Sequence, residues 1–177
     1  MTTEMRIQVL FIALFGLNLC LSWLAALSKN MKWYRLPGMS LFLGLPLATV
    51  FFNQPKFELD YFWWRIAGVI AITLGILLIA WAKRSSGQVW LFISAEQEEI
   101  CRRGPYQFVR QPVYLGVIFV FVGWWWVWAA VYSFYFGMFI LMLIWLNACL
   151  EEKFILAKKF GEKFEQYRNA TGMFWVK

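Results

Sequence analysis

The 177-residue chain contains no histidine. This absence excludes histidine metal ligands, histidine-ligated haem and any catalytic pair in which histidine activates a serine or a cysteine. Cysteine is scarce as well: Cys20, Cys101 and Cys149 form no CxxC pair, and two of them lie within apolar stretches. They predict neither a disulfide framework nor a zinc site, and we interpret them as small buried hydrophobes.

Charge is also rare, at 15% of the residues against about 25% in a typical soluble domain. Hydrophobic residues make up 62% of the chain and aromatic residues 21%, including 12 tryptophans. This composition predicts one domain whose solvent is largely lipid. The uncharged stretch 7–27 is longer than the apolar part of a signal peptide, and no small-residue cleavage site follows it. It therefore predicts a first transmembrane helix rather than a cleaved leader.

Apolar runs predict an all-α integral membrane protein, a single membrane domain over residues 1–177 with about five transmembrane helices. The three N-terminal spans, within residues 1–82, cover roughly 7–27, 36–52 and 61–82. Beyond them, residues 113–150 carry no charge. One straight helix of that length would measure about 57 Å, whereas the hydrocarbon core is about 30 Å thick. The run must therefore fold back as a helical hairpin, with its turn near Trp128–Ser133.

Basic residues are divided unequally between the two sides of this predicted topology. Arg6, Lys56 and Arg65 fall on the side of the N-terminus, and the other 14 of the 17 fall on the opposite side. The positive-inside rule then predicts an external N-terminus and a cytosolic C-terminus. Topology and anionic lipid explain the net charge of +7. No nucleic-acid motif is present, so nucleic acid is not an expected partner.

The C-terminal tail has a different pattern. Leu156, Phe160, Phe164 and Tyr167 recur at helical spacing, and lysines occupy other faces. The spacing predicts an amphipathic helix that leaves the last span. Such a helix either lies on the lipid headgroups or folds back over a cytosolic pocket.

A polar segment enters the hairpin, and a pair of acidic residues leaves it. The segment is "RRGPYQFVRQPVYLG", residues 102–116, and the exit is "LEEKF", residues 150–154. Because a hairpin brings its ends together, Arg110–Tyr114 should lie near Glu151 and Glu152 on the cytosolic side. Non-helical backbone at membrane depth requires surrounding protein or a water-filled cavity. The segment therefore predicts a cytosolic polar connector and a pocket in which guanidinium, phenol and carboxylate groups converge.

These two stretches resemble a family of integral membrane enzymes. "GPYQFVRQPVYLG" at 104–116, followed by "EEKFILAKKFGEKFEQY" at 151–167, is similar to the isoprenylcysteine carboxyl methyltransferases and phospholipid methyltransferases. The resemblance covers about residues 94–175. It implies that residues 83–177 hold a pocket for S-adenosylmethionine without a Rossmann sheet and without a metal. The residues it implies for the donor site are Tyr106, Arg110, Gln111, Pro112, Tyr114, Glu151 and Glu152, of which Arg110 and Glu152 would be catalytic.

The chain departs from the family pattern at three positions. Gln111 and Glu98 stand where histidines are usual, and Gly172-Met173 stands where Pro-Arg is usual. Three interpretations therefore remain open. The first is a membrane methyltransferase acting on a lipid-like or small hydrophobic acceptor, which could be a carboxylate, a thiol or an amine. The second is a catalytically altered protein that binds lipid or serves as a subunit of a larger membrane complex. The third is a reductase-like use of the fold with a nicotinamide.

Overall fold

The computed structural model describes residues 3–27, 44, 47–51, 53–58, 62–86 and 99–177. The described residues are mostly helical and form no β-strand. The helices are α1 (Thr3–Leu27), α2 (Phe62–Ser86), α3 (Pro112–Trp128), α4 (Val131–Glu151), α5 (Ala157–Phe160) and α6 (Glu162–Ala170). A π-helical segment, Glu152–Leu156, joins α4 to α5, and 3-10 turns lie at Thr49–Phe51 and Gly104–Gln107.

Two of these helical stretches are long and apolar enough to cross a membrane. They are α2 and the 30-residue stretch Val131–Phe160, which runs from α4 through α5. Shorter apolar helical stretches lie at Val9–Asn18 and in α3. Most of the second predicted span, 36–52, and the departure at Glu98 lie outside the described residues. The number of transmembrane spans, five, and the division of the domain near residue 83 therefore stay predictions.

The chain divides into two compact units, of which unit 1 comprises Met1–Ile70 and Phe121–Met142. Here α3 ends at Trp128 and α4 begins at Val131, with Ala129 in a left-handed conformation at a φ of 49°. The break between α3 and α4 therefore falls within the range in which the sequence predicts a turn. Segment 53–58 pairs with this turn: the Phe57 N–H donates to the Ala129 carbonyl at 2.8 Å, and the Val131 N–H donates to the Pro55 carbonyl at 3.1 Å.

Unit 2 comprises Ala71–Val120 and Leu143–Lys177. In it, α2 and α3 approach each other closely at two glycines. A Cβ on Gly75 would lie 2.5 Å from the Gly116 carbonyl oxygen, and a Cβ on Gly116 would lie 2.8 Å from the Gly75 oxygen. Small residues at a helix contact allow backbones to pack directly against each other, which is a common way for helices to associate in lipid.

Gly75→Ala is therefore expected to destabilise the protein. The added methyl group must push apart two backbones, and overpacking of this kind costs about 1–3 kcal/mol. The midpoint of unfolding in detergent measures the loss. Gly16→Ala in α1 is the control, because a Cβ there would meet nothing within 4 Å. Equal midpoints for the two variants would contradict the close packing at Gly75.

The tail of the chain packs within unit 2 through the residues that recur at helical spacing. Leu156, Phe164 and Tyr167 form a buried cluster, with Phe160 packed against it. The amphipathic stretch is not one continuous helix, because Gly161, with a φ of 52°, separates α5 from α6. A positive φ at this position favours glycine, which carries no Cβ to clash with the backbone. Beyond α6, the N–H groups of Arg110 and Gln111 donate to the carbonyls of Gly172 and Met173 at 2.9 and 3.1 Å.

Candidate functional site

Unit 2 contains a forked ion pair between the residues that enter and leave the hairpin. Arg110 Nε donates to Glu152 Oε1 at 2.9 Å, and Arg110 Nη2 donates to Glu152 Oε2 at 3.1 Å. The two side chains are only 8% and 9% exposed. Pro112 begins α3, where its missing N–H costs no helical hydrogen bond. The polar connector and the exit of the hairpin are therefore neighbours, as the predicted fold-back requires.

The second amino group of Arg110 ties the C-terminal segment to this pair. Arg110 Nη1 donates to the Arg168 carbonyl at 3.0 Å and also to the Thr171 carbonyl. A guanidinium has five N–H donors, and Glu152 together with these two carbonyls accounts for four of them. The guanidinium fork, the Nε–H and Nη2–H pair that could bind the carboxylate of a ligand, is thus occupied by Glu152. Arg110 orients Glu152 and holds the chain after α6 in place.

The neighbouring carboxylate, Glu151, engages different partners. The Tyr114 hydroxyl donates to Glu151 Oε2 at 2.9 Å, and Asn147 Nδ2 donates to the Tyr114 hydroxyl at 2.6 Å. Glu151 is 1% exposed, and Tyr114 and Asn147 are also buried. Buried polar groups must be hydrogen-bonded because their desolvation is otherwise uncompensated. The two adjacent glutamates therefore engage different partners, Glu152 with Arg110 and Glu151 with Tyr114.

Tyr114→Phe should disrupt the contacts of Glu151. Removing the hydroxyl takes one hydrogen-bond partner from the buried Glu151 and one from the buried Asn147, and losing such a partner inside the protein costs about 1–3 kcal/mol. Chemical unfolding in detergent measures the loss. Tyr135→Phe is the control, since Tyr135 is 66% exposed. A Tyr114→Phe variant as stable as the control would contradict the assigned network.

Two further tyrosines brace the site as neutral groups. The Tyr167 hydroxyl donates to the Tyr106 backbone carbonyl. Burial raises the pKa of the Tyr106 phenol to about 12, and burial likewise raises the pKa of Tyr167. Desolvation disfavours the phenolate. Both phenols therefore stay protonated near neutral pH.

Next to the ion pair lies a cavity of about 990 Å³ within unit 2. The residues that line it are Arg110, Trp145, Cys149, Glu152, Lys153, Ala157, Phe164, Glu165, Arg168, Asn169, Gly172, Met173, Trp175 and Lys177. Of the seven positions implied by the resemblance, Arg110 and Glu152 are among these. The other five, Tyr106, Gln111, Pro112, Tyr114 and Glu151, are buried. The amphipathic tail borders this cavity, as one of its two interpretations requires.

The C-terminal residues complete the wall through a close approach at Gly172. A Cβ on Gly172 would overlap the backbone carbonyl oxygen of Trp175, so only glycine fits there without a shift. The turn brings Trp175 and Lys177 to the cavity. Lys177 Nζ donates to the Arg168 carbonyl at 3.2 Å and to the Asn169 carbonyl at 3.4 Å. With Lys177 included, four basic side chains and two acidic side chains line the cavity.

Sequence reasoning missed Asn147 and much of the cavity lining, including Trp145, Glu165, Arg168, Trp175 and Lys177. Asn147 carried a usable signal, because an amide inside a long apolar run must find a partner or a function. Arg168, Trp175 and Lys177 lie in a tail without a distinctive motif. The place of Trp175 and Lys177 on the cavity depends on the turn through Gly172, which hydropathy does not encode.

The family described as phospholipid methyltransferase matches residues 63–163, more than half of the chain. The matched range includes α2 from Trp63 onward, α3, α4, the Arg110–Glu152 pair and the Tyr114–Glu151 contact. No curated protein and no solved structure matches the chain.

Proposed function

The chain belongs to the phospholipid methyltransferase family, and on that premise we propose that it transfers a methyl group from S-adenosylmethionine to a lipid-like acceptor. One observation supports this most directly: the cavity of about 990 Å³ that adjoins the buried Arg110–Glu152 pair. Ligand sites for small molecules measure about 300–1,000 Å³. The cavity is large enough for a nucleoside-sized donor.

The lining fits the chemical groups of the donor. Arg168 and Lys177 can bind its carboxylate, and Glu165 can accept from its ammonium. The faces of Trp145 and Trp175 can attract the sulfonium and stack on the adenine. When bound, S-adenosylmethionine supplies an electrophilic methyl group. The protein supplies binding and orientation, which make up most of the catalysis in a direct displacement.

Arg110 and Glu152 have different roles in this proposal. Glu152 lines the cavity and its carboxylate is oriented by Arg110, so Glu152 can accept a proton or a hydrogen bond from an acceptor. Arg110 is a positioning residue, because its fork is filled by Glu152. A carboxylate or thiolate acceptor needs no base, whereas an amine acceptor must lose a proton. For an amine, Glu152 and Glu165 are the carboxylates that line this cavity.

Membrane placement follows from the family and from the two helices long enough to cross a bilayer. We propose a multi-pass arrangement with an external N-terminus and with the unit 2 cavity at the cytosolic side. Reporter fusions at each end of the chain test this arrangement. A C-terminal fusion that is active only in an external compartment would contradict it.

Donor binding is the decisive test. Isothermal titration calorimetry of the purified protein in detergent should show saturable heat with S-adenosylmethionine and with its demethylated product. Lys177→Gln should weaken both by about threefold to tenfold, because one charge-assisted contact is lost. Lys83→Gln, outside the cavity lining, is the control. Absence of heat with either ligand would overturn the proposal.

One observation favours a second function. The fork of Arg110 is filled by the protein itself, as expected for a scaffold that no longer binds a donor carboxylate there. Under this alternative the chain is a lipid-binding protein or a structural subunit of a membrane complex. It predicts no donor binding, together with co-purification of a partner protein in stoichiometric amount. A folded protein that binds the donor and purifies alone would exclude it.

A further inference from the structure

Unit 1 contains a second cavity, of about 330 Å³, that the proposed reaction does not use. The residues that line it are Phe57, Trp64, Val122, Trp125, Trp126, Ala129, Phe134, Met138 and Leu141. Every one of these side chains is apolar and five are aromatic. None of the nine lines the unit 2 cavity.

The walls of this cavity are built by close packing. The rings of Trp64 and Trp126 stack with centroids 4.9 Å apart and an interplanar angle of 26°. Trp125 is 3% exposed, and its ring lies against Gly137, where any Cβ would overlap it. Stacked and buried rings have few alternative rotamers to adopt. The cavity is therefore preformed, which lowers the entropic cost of filling it.

The cavity opens on the surface of the chain. Three of its lining residues are substantially exposed: Trp126 at 39%, Phe134 at 40% and Met138 at 54%. In a membrane protein of this family, exposed apolar side chains beside a helical hairpin face lipid. A ligand that enters here comes from the bilayer.

The lining restricts the chemistry of that ligand. Water in a cavity needs two to four polar partners, and these side chains offer none beyond indole N–H groups. The volume is about twice that of a cavity known to hold benzene in another protein. A hydrocarbon chain meets both conditions.

The charged residues beside the cavity indicate which polar group the hydrocarbon chain carries. Lys56 and Arg65 are exposed cations, and each adjoins a lining residue in the sequence, Phe57 and Trp64. Lys56 also pairs through its backbone with Ala130, next to the lining residue Ala129. Glu58 and Asp60 follow Lys56 in the sequence, so the cation that carries the inference is Lys56, which the backbone pairing places at the edge of the cavity. A phosphate group complements the Lys56 ammonium.

We propose that unit 1 binds one phospholipid, with an acyl chain in the aromatic cavity and its phosphate beside Lys56. This site is additional to the methyl-transfer site and does not depend on it. Its occupant fills the space between α3 and α4 near their turn.

Native mass spectrometry of the full chain, purified in a mild detergent, tests the proposal. The wild-type protein should retain one phospholipid. Met138→Trp fills the mouth of the cavity and should reduce retention at least tenfold. Met142→Trp is the matched control, because Met142 is 51% exposed on the same helix but does not line the cavity. Equal retention by the two variants would overturn the proposal.

A second measurement tests the phosphate. Wild-type protein and Lys56→Gln are exchanged into nanodiscs that contain phosphatidylglycerol or a phosphate-free glycolipid with the same acyl chains. The wild type should retain phosphatidylglycerol at least threefold better, and Lys56→Gln should lose that preference. Equal retention of the two lipids by the wild type, or retention of a sterol in place of either, would overturn the assignment of the ligand. Failure of donor binding in unit 2 would leave these outcomes unchanged.

Discussion

Removing one partner of the Arg110–Glu152 pair is expected to lower the free energy of unfolding by about 3–5 kcal/mol. Both side chains are nearly buried, so the remaining partner keeps its charge without its counter-charge. Arg110→Met also removes the donors to the Arg168 and Thr171 carbonyls. Glu152→Gln leaves the guanidinium facing an amide. The loss from Arg110→Met should therefore be at least as large as that from Glu152→Gln.

Unfolding titrations in mixed detergent micelles, followed by tryptophan fluorescence, measure these losses. The double variant should lose less than the sum of the single losses, since no unpaired charge remains. The Arg168–Glu165 pair provides the control: its side chains are 57% and 52% exposed, and Glu165→Gln should cost less than about 0.5 kcal/mol. Additive single losses would show that the pair does not act as a unit.

Gly172→Ala is expected to weaken donor binding at least tenfold, an effect that depends on the proposed function. The new Cβ would overlap the backbone carbonyl oxygen of Trp175. Because backbone atoms cannot rotate away, the turn must open, and Trp175 and Lys177 then leave the cavity wall. Loss of an aromatic face and a cation together should exceed the effect of Lys177→Gln.

Calorimetric titration with S-adenosylmethionine measures this effect, and Gly16→Ala serves again as the control. Amide hydrogen exchange gives an independent reading, because the N–H groups of Arg110 and Gln111 are bonded to Gly172 and Met173. Their protection should fall in Gly172→Ala. Wild-type affinity with unchanged protection would show that the tail tolerates the methyl group and plays no part in shaping the cavity.

The general architecture around the site could be predicted because it depends on strong, additive signals. An uncharged run too long for one crossing requires a fold-back, and the turn between Trp128 and Val131 lies where the sequence places it. The same constraint brings Arg110 to Glu152. Helical spacing likewise predicted the cluster of Leu156, Phe164 and Tyr167.

The partners within the site could not be predicted, because they depend on single contacts. Several pairings are open to an arginine near two adjacent glutamates, and the packing of the folded chain decides that Arg110 engages Glu152 while Tyr114 engages Glu151. The turn through Gly172 depends on a backbone contact with Trp175 that leaves no trace in composition. Resemblance alone placed seven residues at the donor site, whereas Arg110 and Glu152 are the two of them that line the cavity.

The π-helical segment Glu152–Leu156 contains one residue more than a regular helical turn would. The number of residues in this segment therefore matters more for the position of the tail than the identity of each side chain. The Ala157 N–H bonds to the Glu152 carbonyl five residues earlier, so this turn holds more residues than an α-helical turn. Phe154 is 44% exposed and does not line the cavity, so many replacements there should be harmless. Deleting Phe154 would instead let this turn form as a regular α-helix. Every later residue of the helix would then rotate by about 100° about the helix axis. The tail would then present a different face to the Arg110–Glu152 pair, so a reading-frame-preserving deletion would do damage that a substitution scan of Phe154 would never reveal.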